Sequence, residues 1–411
     1  MNDDLYAVLG VALLAALAPL LMSGLARWVK IPLVVFEIAL GIIVGPPLLG
    51  WIPPSDLVQT AANLGLVMLF FLAGNEIDVA RIAGRPLRRA GLGWVVSLAG
   101  ALVVALVAVT VVPAPSNAAI VYIAIALTST ALGTLMPVLR DAGELTTPFG
   151  TAVLAIGAAG EFGPLIAISI FLSGREPGPA TVVLLFFVII AAAALFLAAR
   201  GPHRRLHRII SGTLHTSGQF AVRLVMVLVF ALVGLSLWLD LDMLLGAFVA
   251  GALTRVLLSS AEKKDREVIE SKLDGLGFGF VVPFFFITTG LTFDLSSLLS
   301  SPAALVLLPI FLVMLLVVRG LTGLFNRPRG AGGADTRALV LFTATGLPII
   351  VAVTGIGVEA GDLQVPVATA LVGAGMLSVL LFPLIALAHR PAAAAPAAVG
   401  PGETDEVPDE G

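Results

Sequence analysis

The sequence predicts an all-α protein that crosses a membrane many times, and its composition, its apolar runs and its loop charges all favour this fold class. Of its 411 residues, 59% are hydrophobic and only 12% are charged, with a mean hydropathy of +1.08. Such a chain cannot bury its apolar side chains in a water-soluble core. Its runs have the length of about 20 residues that a membrane-spanning helix needs, whereas the alternating strands of a membrane barrel are absent.

Apolar runs bounded by charged residues, Pro or Gly predict thirteen transmembrane helices. They lie near residues 5–24, 31–49, 57–74, 90–112, 118–138, 146–173, 179–199, 219–238, 242–258, 276–292, 303–325, 336–357 and 365–388.

The positions of Lys and Arg predict the direction in which these helices run. Twenty of the 23 Lys and Arg residues follow odd-numbered helices; the others are Arg175 in a loop, and Arg223 and Arg319 inside helices. Because cations accumulate in cytoplasmic loops, we expect the N-terminus outside and the C-terminus in the cytoplasm, in a bacterial inner membrane. Residues 389–411 are predicted to form a disordered cytoplasmic tail.

Several classes of function are disfavoured by what the sequence lacks. It contains no cysteine, so disulfides and thiolate metal sites are excluded, and no phosphate-cradling GxxxxGK[ST] loop, so ATP-driven transport is disfavoured. No nucleophile–base pair or metal cluster falls at membrane depth. We therefore expect a protein that is not an enzyme, needs no cofactor and binds no nucleic acid.

Two pairs of segments predict an internal repeat. FFLAGNEID at 70–78 aligns with FITTGLTFD at 286–294, and ALTSTALG at 126–133 aligns with LFTATGLP at 341–348, at nearly equal offsets. The predicted units are a first six-helix repeat at 1–178, a linker helix with a basic loop at 179–218, and a second repeat at 219–388. Seven helices separate equivalent elements, so the copies have inverted topology, which is typical of secondary transporters.

The fifth and twelfth predicted helices carry hydroxyl groups beside helix-weakening residues at membrane depth. Thr128, Ser129 and Thr130 stand in the fifth helix, and Thr343 and Thr345 in the twelfth. These segments are predicted to cross each other, partly unwound, and to offer oxygen atoms to a hard cation. The alternative is that the hydroxyls bond to their own helices and the small residues serve close packing.

Glu161 is the candidate for an ion-binding and proton-binding group. It lies midway along the sixth predicted helix, beside Gly160, and an ionisable residue at this depth is costly enough to indicate function. If a proton and a monovalent cation compete for this carboxylate, alternating access couples their opposite movements. The alternative is a permanent salt bridge between helices. Arg319, in the eleventh helix, is the predicted counter-charge, and because arginine stays charged, one proton per cation is the simplest expectation.

The remaining ionisable residues in or near helices are less central. Glu76, Asp78 and Asp294 fall near helix ends, where interfacial or packing roles are favoured, while Glu37 and Arg223 lie deeper and could pair or line a vestibule. The histidines at 203 and 207 stand in the basic linker and do not predict a metal site.

Five segments together resemble the monovalent cation:proton antiporter superfamily, specifically its bacterial Kef-like and Nap-like branch. The resemblance covers roughly residues 5–388 and implies a thirteen-helix inverted-repeat fold, a homodimer, elevator-like motion, a transport carboxylate at Glu161 and a basic partner at Arg319. The sequence departs from the family at Gly160, where many members have a polar residue. The segments are EIALGIIVGP at 37–46, LFFLAGNEID at 69–78, ALTSTALGTLMPVLRD at 126–141, LGAFVAG at 245–251 and PFFFITTGLTFD at 283–294.

The expected function is therefore exchange of Na+ or K+ for H+, with membrane lipid as the surrounding solvent. Two alternatives stay open. One is a carrier of another solute, such as an organic anion, on a related inverted-repeat fold, which should place more cationic groups around its site. The other is a membrane sensor that transports nothing.

Overall fold

The structure is a computed structural model that describes residues 2–25, 32–77, 82–111, 118–145, 147–172, 176–200, 219–259 and 261–388. The predicted tail at 389–411, most of the basic loop before residue 219, and Asp78 lie outside these ranges. The helices are α1 Asn2–Leu25, α2 Leu33–Val44, α3 Asp56–Glu76, α4 Arg85–Val111, α5 Ala118–Leu127, α6 Leu132–Asp141, α7 Pro148–Phe171, α8 Pro177–Arg200, α9 Phe220–Trp238, α10 Met243–Ser259, α11 Lys263–Leu276, α12 Val282–Leu291, α13 Leu295–Ser300, α14 Pro302–Met314, α15 Gly333–Thr343, α16 Pro348–Glu359 and α17 Val365–Ala388.

The predicted all-α membrane fold is confirmed. Within the described ranges, eleven helical segments are long and apolar enough to cross a membrane, and two shorter apolar helices, α2 and α10, stand where the second and ninth spans were predicted. The exact count of thirteen stays a prediction. The predicted interruptions of the fifth and twelfth spans are present, between α5 and α6 and between α15 and α16.

Some predicted boundaries differ from the structure, and two of the differences have a clear physical basis or change an element. α2 ends at Val44, five residues before the predicted end, because Gly45 precedes two prolines; proline disfavours helical backbone at the residue before it and has no N–H to donate. The stretch from Lys263, predicted as a loop, forms α11. A π-helical turn at Gly277–Val281 joins α11 to α12.

The helices form two bundles with few contacts between them. The glycine-crossing bundle consists of α1 to α3, α9, α10 and α12, and the broken-helix bundle consists of α4 to α7 and α14 to α17. α8 contacts α7 of one bundle and α10 of the other. Each bundle draws helices from both predicted repeats, so this spatial division cuts across the sequence halves.

Glycines allow two pairs of helix backbones to touch in the glycine-crossing bundle. A Cβ on Gly41 of α2 would overlap the Ile287 carbonyl of α12, and a Cβ on Gly251 of α10 would overlap the Phe71 carbonyl of α3. The predicted repeat pairs α2 with α10 and α3 with α12. Under that repeat, the crossing of α2 with α12 is the equivalent of the crossing of α10 with α3. The repeat itself stays a prediction.

Candidate functional site

The two interrupted helices meet at their breaks. The hydroxyl of Thr130 donates to the carbonyl of Thr343 over 2.7 Å, and the Ala131 N–H donates to the Thr345 carbonyl over 2.8 Å. Each break therefore satisfies backbone groups that the other break leaves without an intrahelical partner. The Thr130 N–H also donates to the Gly160 carbonyl over 3.0 Å, which ties the crossing to α7.

Glu161 reaches the start of α6 from the middle of α7. Its side chain is buried, and Oε1 accepts a hydrogen bond from the Gly133 N–H over 3.3 Å. Gly133 is the second residue of α6, so the carboxylate faces the positive end of that helix dipole. Oε2 is buried and has no hydrogen-bond partner. One oxygen of Glu161 is thus held by the backbone and the other is available to a proton or an ion.

Arg319 lies on a π-helical turn, Leu315–Gly320, and is among the largest fully buried side chains in the described structure. Such turns are frequent at functional sites. The Arg319 guanidinium donates from Nε to the Thr130 hydroxyl over 2.7 Å and from Nη2 to the Ile156 carbonyl over 2.8 Å. The Thr130 hydroxyl in turn donates to the carbonyl of Thr343, the last residue of α15. Only this hydroxyl group therefore separates the guanidinium from the end of α15, where a helix dipole favours positive charge.

Gly160 leaves the space that the Arg319 guanidinium uses. A Cβ at position 160 would overlap Nη2 of Arg319 and also the Cβ and hydroxyl of Thr130. The departure from the family pattern therefore has a structural correlate: the place of a first polar side chain on this helix is taken by the guanidinium of Arg319.

Glu161 and Arg319 form no ion pair in this structure. Both side chains are described, yet the guanidinium donates to Thr130 and Ile156, and the carboxylate accepts from the backbone at the start of α6, where Gly133 is its donor. The alternative of a permanent salt bridge between these two residues is therefore wrong for this conformation. The two charges are held near oppositely polarised helix ends, α6 for Glu161 and α15 for Arg319.

The other predicted hydroxyl groups are buried at the breaks and mostly bond to their own helices. Thr128 donates to Ile125, Ser129 to Ala126, Thr343 to Leu339 and Thr345 to Leu341. This is the local bonding that the structural alternative expects. Each of these bonds uses the hydroxyl proton but leaves lone pairs on the hydroxyl oxygen. The bonds therefore do not decide whether these groups bind an ion.

The charged residues away from Glu161 and Arg319 differ in burial and in hydrogen bonding. Glu37 is buried, whereas Arg223 lies on the exposed side of α9, and no ion pair joins them; the predicted option of a pair is therefore wrong. Asp294 accepts a hydrogen bond from the Ser297 N–H and caps α13, in agreement with a role at a helix end. Glu76 is the last residue of α3.

Two features near the site were not found from the sequence. Ser378 of α17 accepts a hydrogen bond from the Gly346 N–H, which ties the second break to α17. Its own hydroxyl proton lies within reach of the Gly375 carbonyl at 2.7 Å and the Gly346 carbonyl at 3.0 Å. A lone serine in an apolar run was the only available signal. Phe162, next to Glu161, stacks on Phe248 of α10 with ring centroids 5.5 Å apart. This stack is a contact between the two bundles.

Two helical bundles, one of which holds crossed broken helices, a buried carboxylate and a buried arginine, define an integral-membrane secondary-transporter architecture. The chain belongs to the sodium/hydrogen exchanger family: residues 12–387 match the family described as "Sodium/hydrogen exchanger, transmembrane". The proteins of this family are transporters, and the chain is a multi-pass membrane protein.

The relatives agree with this assignment, and a solved structure shares the fold. The chain is 26% identical over 360 residues to a putative Na+/H+ antiporter, YjbQ, of Bacillus subtilis, covering 82% of this chain and 56% of that protein, so it spans little more than half of that relative. It is 23% identical to a Na+/H+ antiporter of Enterococcus hirae, covering 77% and 81% of the two chains. The sodium proton antiporter MjNhaP1 of Methanocaldococcus jannaschii shares the fold, with a TM-score of 0.62, 16% identity and coverage of 93% and 96%.

Proposed function

We propose that the chain exchanges a monovalent cation, Na+ or K+, for H+ across the bacterial inner membrane, with Glu161 as the group for which both ions compete. The observation that carries the proposal is the buried Oε2 atom of Glu161, which has no hydrogen-bond partner. Burying an ionised carboxylate without compensation is costly. A proton or a cation must therefore neutralise it, and each displaces the other.

Competition becomes exchange if the site opens to one side of the membrane at a time. The two bundles have few contacts with each other, and this division suits a relative movement that would carry Glu161 between the two sides. An elevator-like movement and a homodimer are implied by the family resemblance, and the predicted orientation has the N-terminus outside. Cross-linking in membranes and cysteine accessibility from each side would test these three predictions.

The charges at the site favour an electroneutral cycle. Arginine keeps its charge throughout the physiological range, and Arg319 is held by Thr130 and Ile156 rather than by Glu161. Only Glu161 would then change protonation during a cycle, which gives one proton per monovalent cation. A transport current driven by voltage in proteoliposomes would contradict this stoichiometry.

The proposed ligands of the cation are oxygen atoms. One is Glu161 Oε2, and the others are hydroxyl lone pairs of Thr128, Ser129 and Thr130 at the first break, with Thr343 and Thr345 shaping the second. Oxygen donors suit hard cations. The organic-anion alternative has less support, because Arg319 is the only basic side chain among the buried residues of the described structure.

Reconstituted exchange tests the function. Proteoliposomes with an imposed pH gradient receive Na+ or K+, and the wild-type protein should dissipate the gradient with one or both. Glu161→Gln has nearly the same shape but cannot ionise, so it should abolish exchange. The exposed Glu262→Gln is the matched control and should exchange normally. Undiminished exchange by Glu161→Gln would remove that residue from the mechanism, and a wild type unresponsive to either cation would refute the antiporter function.

A further inference from the structure

A cavity of about 500 Å³ lies between the two bundles, and Glu161 is not among its described lining residues. It is found where α3 and α10 begin and α12 and α16 end, which is the face that the loop charges predict to be outside. Thr288 and Thr289 of α12 line one wall, and Thr354 of α16 and Thr369 of α17 line the opposite wall. Since its walls belong to different bundles, any relative movement of the bundles must change its shape.

The cavity carries only negative charge. Asp242, Asp294 and Glu359 line it, and no Lys, Arg or His is among its described lining residues. Asp242 accepts a hydrogen bond from the Leu244 N–H over 2.8 Å. A cleft lined by one sign of charge raises the local concentration of counter-ions, so cations should accumulate here.

The threonines present acceptor atoms to this cavity. The hydroxyl of Thr289 donates to Phe285, that of Thr354 to Ile350 and that of Thr369 to Val365. In each case the hydroxyl proton is committed to a backbone carbonyl of the same helix, so the oxygen lone pairs are what it can offer to a ligand. Oxygen acceptors beside carboxylates suit a hard cation and its water shell.

The Thr288 hydroxyl gives independent evidence for a ligand site in this cavity. Its side chain is 3% exposed, it lines the cavity, and its Oγ1 is buried without any hydrogen-bond partner. The neighbouring Thr289 on the same helix has a partner, and buried hydroxyl groups without one are rare. A cation or one of its waters in the cavity would provide that partner.

We propose that this cavity binds a hydrated monovalent cation at a second site, distinct from Glu161, from which the ion enters the exchange cycle. The proposal rests on the proposed exchange for the identity of the cation and for the entry role. The binding site itself rests on the carboxylates, the committed threonines and the unpartnered Thr288 hydroxyl.

Equilibrium binding of radiolabelled Na+ and Rb+ to the purified full chain separates the two sites. Glu161→Gln should retain saturable binding. On that background, the double variant Asp242→Asn/Glu359→Gln should weaken binding about two-fold per charge, the effect of a unit charge ~10 Å away in water. Asparagine keeps the helix cap at position 242. Thr288→Val should also weaken binding without lowering the unfolding temperature, whereas Glu262→Gln should change nothing.

Transport from each side tests the entry role. In oriented proteoliposomes, Asp242→Asn/Glu359→Gln should raise the apparent KM for the cation only from the cavity side and leave the rate at saturation unchanged. The second site is refuted if Glu161→Gln removes all saturable binding, or if Thr288→Val leaves binding unchanged, since charge alone would then account for any effect of the carboxylates. The entry role is refuted if KM rises equally from both sides. A wild type that neither binds nor exchanges either cation would instead refute the proposed function.

Discussion

The guanidinium of Arg319 occupies the space that a side chain at Gly160 would need. Arg319 lies on the π-helical turn of the eleventh span. Its Nη2 atom donates a hydrogen bond to the carbonyl of Ile156, which belongs to the same helix as Gly160 and Glu161. Arg319 and Gly160 are therefore matched: the arginine fits because position 160 has no side chain. The missing polar neighbour of Glu161, noted in the sequence, is explained by this fit.

We predict that Gly160→Ala lowers stability and exchange together. Alanine in a helix interior gains up to about 1 kcal/mol over glycine. Here the new methyl group would displace Arg319 from Ile156 and push against Thr130, and overpacking costs about 1 to 3 kcal/mol. The net effect should be a lower unfolding temperature in detergent and slower dissipation of a pH gradient.

Gly100→Ala is the matched control for that variant. Gly100 lies in α4 of the same bundle, and a Cβ there would meet no atom within 4 Å. Its substitution should leave exchange unchanged and stability equal or slightly higher. Gly160→Ala behaving like Gly100→Ala would show that Arg319 can move at no cost and that the fit between residues 160 and 319 is unimportant.

Arg319→Lys should impair exchange although it keeps a positive charge. Lysine offers one compact ammonium group instead of a planar fork, so it cannot reproduce the bonds to Thr130 and Ile156 together. It can also lose its proton when buried, which would add a second titrating group and broaden the pH profile of exchange. Arg255→Lys, in a partly exposed ion pair with Glu270, should be nearly neutral. An unchanged rate and pH profile for Arg319→Lys would mean that charge alone suffices.

Thr130→Val should destabilise the crossing of the broken helices. The Thr130 hydroxyl accepts from Arg319 and donates to Thr343, so valine leaves two buried polar groups without partners, at about 1 to 3 kcal/mol each. Thr130→Ser keeps the hydroxyl and should retain most of the stability and exchange. Thr181→Val removes an exposed hydroxyl that bonds only to its own helix and should have little effect. Equal behaviour of the valine and serine variants at position 130 would exclude the hydroxyl bridge.

The sequence predicted the spans well because membrane helices must be apolar and of defined length. It also predicted the breaks beside Thr130 and Thr345, since hydroxyl, Gly and Pro residues cluster there. It could not predict that Thr130 bonds to Arg319, because this bond joins residues 189 positions apart. The expected partnership between Arg319 and Glu161 was drawn from charge alone. In the structure, each charged group has hydrogen-bond partners near the end of a different helix. The order of residues along the sequence does not indicate these partners.

The last prediction concerns the stability of the glycine-crossing bundle. A Cβ on Gly251 would overlap the backbone carbonyl of Phe71, an atom that cannot swing aside as a flexible side chain can. Gly251→Ala should therefore force α3 and α10 apart and lower the unfolding temperature, because the overpacking cost of about 1 to 3 kcal/mol exceeds the gain of up to about 1 kcal/mol in helix propensity. Gly234→Ala, on α9 of the same bundle with open space around it, should leave the unfolding temperature unchanged or raise it. If the two variants unfold at the same temperature, the backbone contact at this crossing does not limit the packing of the bundle.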